Sequence, residues 1–262
     1  MSDELLVATS GDVVTITISR PRVKNAVSVP VFEELRDVLR DISAEQRTRC
    51  VVLTGAGGDF AAGADLSRAG VTPDERRERH QMNTMRAIHE SIQALADLPM
   101  PVVAKVRGVA VGAGMSLALA CDFVLAADDA RFGAVFAKRG LSLDCAASWL
   151  LPRLVGMHKA KEIALLGDIF GAAEALSIGL VNKVLPAADL DAAVDALATR
   201  LASGPTLALS LSKRLLNASY NFSLAEALEA EAMAQTVNGS SDDTAEGMRA
   251  FFEKRPPNFS GR

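Results

Sequence analysis

Cysteine is scarce in this chain. Cys50, Cys121 and Cys145 are far apart, odd in number and form no Cys-x-x-Cys pair. That pattern excludes a disulfide framework and fits a reduced, cytoplasmic setting. Histidine is equally scarce. His80 and His89 fall about 180° apart around one helical stretch, and His158 stands alone beside Lys159, so no metal is expected. A basic surplus is missing too: the net charge is −4, which leaves no electrostatic footprint for nucleic acid. The arginines near residue 76 alternate with Glu75 and Glu78 and read as a solvated helix face. The longest uncharged stretch, Val109 to Cys121, is shorter than the ~20 residues a membrane helix requires. Asp3 and Glu4 stand where a signal peptide would be basic, so none is expected.

What is present is an α/β pattern. A chain of 262 residues buries enough surface, roughly three quarters, to need no staples. Leu5 to Ala8 and Val13 to Ile18 flank Ser10-Gly11-Asp12 as a hairpin. Pro30 to Ile42 repeats Val31, Leu35, Val38, Leu39 and Ile42 at helical spacing. Runs at 50–54 and 102–106 read as buried strands, separated by a polar helix from Pro73 to Leu98 that Pro99 and Pro101 end. Gly112 to Ala120 reads as a small-residue helix, Phe123 to Leu125 as a short strand, and Val181 to Val184 as the last strand. From Ala187 onward the pattern is helical, broken at Gly204-Pro205, Asn221 and Gly239. One α/β core with a helical carboxy-terminal portion follows.

Two loops carry the chemistry. Phe60-Ala61-Ala62-Gly63-Ala64-Asp65 and Gly112-Ala113-Gly114-Met115-Ser116 each follow a buried strand and surround backbone N–H groups with little side-chain bulk. The second is explained equally by a helix packed closely on a sheet or by an anion held at the helix start. Two converging N–H groups are what a carbonyl oxygen that becomes negative requires.

Together the loops resemble the crotonase (enoyl-CoA hydratase/isomerase) family. The resemblance also covers Arg20-Pro21, Lys24-Asn25-Ala26, Gly108 to Asp122, Arg131-Phe132-Gly133 and the ending Phe251 to Arg255, nearly the whole chain. It implies an α/β spiral core of stacked β-sheets with surrounding helices, residues 1–200, and a helical oligomerisation region, 201–262. It further implies a homotrimer or dimer of trimers and an acyl-CoA thioester substrate, with no separate cofactor. The N–H groups of Ala64 and Ala113 would form the oxyanion hole; the family normally has glycine at the second position. Lys24, Ala26, Ala62, Asp65 and Leu66 fall where family members contact CoA. Phe251 and Lys254 match residues that reach a nucleotide, often across a subunit boundary.

The hydratase glutamates are missing. Their positions hold Ser116 and Phe136, neither a general base, so hydration of a double bond is not expected. Asp144 matches the place where double-bond isomerases of the family put a carboxylate. A single base suits a reaction that takes a proton from one carbon and returns it to another. A free aspartate is a weak base (pKa ~3.9) unless desolvated, and Phe136 and Trp149 are the apolar residues available for that. Asp144 also precedes an apolar helix, Cys145 to Leu154, where it would serve equally as an N-cap. The runs around Gly112 and Ser148 look most like the 1,2-epoxyphenylacetyl-CoA and 3,2-enoyl-CoA isomerase branch.

Three rivals are weighed against this. Gly114-Met115-Ser116-Leu117-Ala118 approaches a serine-hydrolase nucleophile elbow but lacks its last glycine. Tyr220 has Leu224 where a nicotinamide reductase needs lysine, and no GxGxxG opens a helix. A non-catalytic acyl-CoA-binding protein is the remaining alternative.

Overall fold

The computed structural model describes residues 2–45, 47–67 and 81–261. The amino-terminal half of the polar helix expected from Pro73, its arginines and His80 lie outside the described residues.

The hairpin forms as expected, β1 (Leu5–Ser10) against β2 (Val13–Ile18), with Gly11 at φ 58° in the turn. β2 then pairs in parallel with β3 (Cys50–Gly55), β3 with β4 (Val102–Val106), β4 with β6 (Phe123–Ala127) and β6 with β9 (Lys183–Leu185). The central strands are apolar at nearly every position because both faces are covered. Val51, Leu53, Val102 and Ala104 face the main core, which includes α1 (Val29–Glu45) and α2 (Gln81–Ala96). Cys50, Val52, Val103 and Leu125 face Leu190, Val194 and Ala198 of α6 (Leu190–Ala202). Each fully buried aliphatic side chain contributes about 1.5–3 kcal/mol.

A second sheet stacks β5 (Val109–Val111), β7 (Arg131–Gly133) and β8 (Phe170–Gly171). Between the sheets runs α3 (Ala113–Leu119), with all its residues buried. α4 (Ala147–Leu166) is interrupted at Gly156 (φ 76°, ψ 161°) and is followed by α5 (Ala172–Ser177). The tail is helical: α7 (Thr206–Ala218), α8 (Leu224–Gly239) and α9 (Asp242–Glu253). Its breaks fall at Gly204-Pro205, near Asn221 and after Gly239, as expected. The last strand lies at Lys183–Leu185, two residues beyond the start expected at Val181, because Asn182 is spent on the N–H of Val124 at 2.7 Å. Among the described residues no helix is long and apolar enough to cross a membrane.

Candidate active site

After β3 the chain forms the first small-residue loop, and Asn25 pins its start. Asn25 is fully buried and left-handed (φ 55°). Its Nδ2 donates to the carbonyls of Ala56 (2.8 Å) and Asp59 (2.6 Å), while its Oδ1 accepts from the Arg20 N–H (2.8 Å). Main-chain bonds then hold both edges of the loop. Phe60 and Ala61 donate to the carbonyls of Arg107 (2.8 Å) and Val109 (2.9 Å). On the opposite edge Ala62 donates to Lys24 (2.9 Å), Asp65 donates to Val27 (2.9 Å), and Gly63 accepts from Val27 (2.8 Å).

The second loop leaves β5 through Gly112 (φ 56°, ψ −128°), a conformation that side chains exclude. The Gly112 N–H donates to the Gly133 carbonyl at 2.8 Å. The two loops touch at their glycines: a Cβ built on Gly112 would lie 3.8 Å from the Gly63 Cα. Ala64 and Ala113 are the next residues on each side. Among the described residues neither of their N–H groups has an acceptor, although Ala113 is only 2% exposed. A buried N–H without an acceptor is rare in folded proteins.

Asp144 is drawn to this place by its backbone. The Ser116 hydroxyl on α3 approaches the carbonyls of Gly112 and Asp144, each at 3.3 Å. The Asp144 carbonyl also accepts from the Ala147 N–H at 3.0 Å. Cys145 (φ 51°) and Ala146 (φ 64°) are both left-handed. The N-cap alternative for Asp144 is therefore overturned: Ala146 occupies that position, with no side-chain cap, and the helix starts at Ala147 rather than Cys145. The Asp144 carboxylate instead accepts from the Cys145 N–H (2.5 Å) and from His89 Nε2 (2.8 Å). The nitrogen must carry the hydrogen, because a carboxylate oxygen only accepts.

Of the expected apolar wall only Phe136 is buried. Trp149 is 41% exposed and lies beneath the Arg153 guanidinium at 4.0 Å, and the Asp144 side chain stays 26% exposed. Ser116 is fully buried, with its hydroxyl spent on carbonyls, which removes the nucleophile-elbow reading.

The remaining expected residues divide into two groups. Ala62, Asp65 and Leu66 belong to the first loop or follow it. Lys24 and Ala26 adjoin it through the Ala62 N–H on the Lys24 carbonyl and through Arg20, which bonds both the Ala26 carbonyl and Asp65. The Asp65 carboxylate turns inward, to Arg20 at 2.8 Å and the Ser67 N–H at 2.9 Å. Ser67 and then Arg20 hold that carboxyl down at about 2. Arg20 also donates to Glu4 at 2.9 Å and to the Ala26 carbonyl. Phe251 and Lys254 lie at the end of α9, exposed, with Lys254 left-handed (φ 54°) as its C-cap. Sequence reasoning passed over Arg20 and Asn25 as anchors. It considered His89 only as a metal ligand. The bonds that tie Asn25 to Ala56, Arg20 to Asp65 and His89 to Asp144 span 31, 45 and 55 residues, beyond any spacing rule.

A two-sheet α/β spiral that brings two such loops together defines a crotonase-type enzyme. The enoyl-CoA hydratase/isomerase family model matches residues 8–262, and the chain belongs to that family. It is 38% identical over 250 residues to the 1,2-epoxyphenylacetyl-CoA isomerase of Escherichia coli, covering 95% of both chains. It is 34% identical over 244 residues to the crotonyl-CoA hydratase of Syntrophomonas wolfei, covering 92% of both. An enoyl-CoA hydratase from Bacillus anthracis superposes with a TM-score of 0.92 at 34% identity, covering 99% of this chain and 100% of that one. Relatives thus carry both isomerase and hydratase names, and the shared architecture is the crotonase fold.

Proposed function

We propose that this protein is an acyl-CoA isomerase in which Asp144 moves a proton and the N–H groups of Ala64 and Ala113 hold the thioester oxygen. The observation that carries the reading is the Ser116 hydroxyl at 3.3 Å from the Asp144 carbonyl. It ties that carboxylate to the helix that opens at Ala113, from the position where hydratases carry a glutamate. With a 3-enoyl thioester, Asp144 takes a proton from C2 and the carbonyl becomes an enolate on the two N–H groups. The same proton returns to C4, the double bond shifts to C2–C3, and the carboxylate is regenerated. Rearrangement of a ring epoxide thioester would use the same enolate-stabilising pair.

Lys24, Ala26, Ala62, Asp65 and Leu66 would take the CoA moiety, with Phe251 and Lys254 reaching it from a neighbouring copy. Exposed Leu216, Leu224, Phe251 and Phe252 in the tail support burial of residues 201–262 between copies, in a trimer or dimer of trimers.

The test offers a 3-enoyl-CoA and follows the conjugated 2-enoyl thioester by absorbance. Wild type is expected to turn over, and Asp144→Asn to lose at least ~100-fold, the usual size of acid–base contributions. CoA esters bound without turnover would instead make the chain a binding protein.

A further inference from the structure

We infer that His89 is a positioning residue for Asp144, fixing the carboxylate so that Oδ2 is the oxygen that carries the proton. Both donors converge on Oδ1: His89 Nε2–H at 2.8 Å and the Cys145 N–H at 2.5 Å. Among the described residues no donor reaches Oδ2. Rotation about the Cβ–Cγ bond is thereby blocked, and one oxygen is left with its lone pairs open.

The main chain beneath is held as firmly. Cys145 and Ala146 sit in the left-handed region, which costs ~1 kcal/mol or more for each non-glycine residue. Two hydrogen bonds to the Asp144 carbonyl maintain that conformation. On the opposite side, Ile88, Ser91 and Ile92 bury the inner face of α2 and so aim His89 at the carboxylate. The fold does not need the pair for stability. The His89 side chain is 53% exposed, and pairs so open to water contribute little to folding. A left-handed turn and an exposed imidazole that together orient one carboxylate serve the position of that carboxylate.

The inference rests on Asp144 being the proton-moving group. The test measures His89→Ala, His89→Gln and Asp144→Asn in the 3-enoyl-CoA assay, together with CoA-ester affinity and thermal midpoint. His89→Ala is expected to lower kcat by ~10- to 100-fold, the scale of a misplaced reacting group. KM and the thermal midpoint should stay near wild type. His89→Gln, whose Nε2 amide still donates, is expected to recover most of the lost kcat. Wild-type kcat in His89→Ala, with Asp144→Asn inactive, overturns the positioning role alone. A His89→Gln variant as slow as His89→Ala overturns it as well. Undiminished turnover in Asp144→Asn overturns the assignment of Asp144 itself.

Discussion

Gly114 is pressed so closely on Ala61 that a methyl group on its Cα would overlap the Ala61 carbonyl. The contact is main chain against main chain, and it sets how far apart the two loops stand. Gly114→Ala is therefore expected to cost about 1–3 kcal/mol, the usual range for overpacking. Turnover should fall more than stability, because the neighbouring N–H groups move apart. Urea denaturation and isomerase assays on the same preparation check both.

Asp65 supplies a prediction in acid. Ser67 and Arg20 hold its carboxyl at about 2, below the ordinary 3.8. A depressed carboxyl stabilises the fold above its ordinary value, and the contribution is lost as pH falls through the depressed one. Asp65→Asn should cost about 2 kcal/mol at neutral pH, in the range for hydrogen bonds to charged groups. The gap to wild type should close between pH ~4 and ~2. Chemical denaturation as a function of pH measures it.

The opposite sign holds at Asp122. Burial pushes its carboxyl up, against the pull of Lys213 at 2.8 Å and the Val102 N–H at 2.7 Å. α7 buries no residue of its own, so this pair, with Arg49 on the Thr206 hydroxyl at 2.9 Å, anchors it to the core. Lys213→Met leaves the carboxylate unpaired and should cost about 3 kcal/mol. A raised carboxyl binds its proton more readily in the folded state, so the deficit should shrink as pH falls from neutral toward the ordinary carboxylate range. A deficit that does not change over that range would show that Asp122 does not titrate as stated.

The three thiols are buried, and burial pushes the Cys50 thiol up to about 12 and raises Cys121 and Cys145 as well. The thiolate is the reactive form. Iodoacetamide at pH ~8 is expected to label none of the three in the folded protein and all of them in urea.

Long elements were legible because local pattern and burial agree. β3 and β4 announced themselves as β-branched runs, and α1 by its 3.6-residue repeat. The strands β5, β7 and β8 are two or three residues long and carry no such signal; they exist only through pairing with one another. The site divided in the same way. Glycine and alanine content exposed both loops, since close backbone approach leaves a mark in composition. The turn at Cys145-Ala146 left none, because neither residue favours φ > 0 and tertiary bonds impose it. The partnership of His89 with Asp144 spans 55 residues and depends on how α2 docks.

The first loop is fastened by main-chain bonds to residues 24–27 and to β5, with the Asn25 and Asp59 side chains bracing its entry. Its geometry is thus set mainly by main chain and by those two side chains. The second loop differs, because the Ser116 hydroxyl lies 3.3 Å from the Gly112 carbonyl and exchange of that side chain touches the loop itself. For engineering, side chains outside that main-chain frame can be varied while the Ala64 N–H keeps its place.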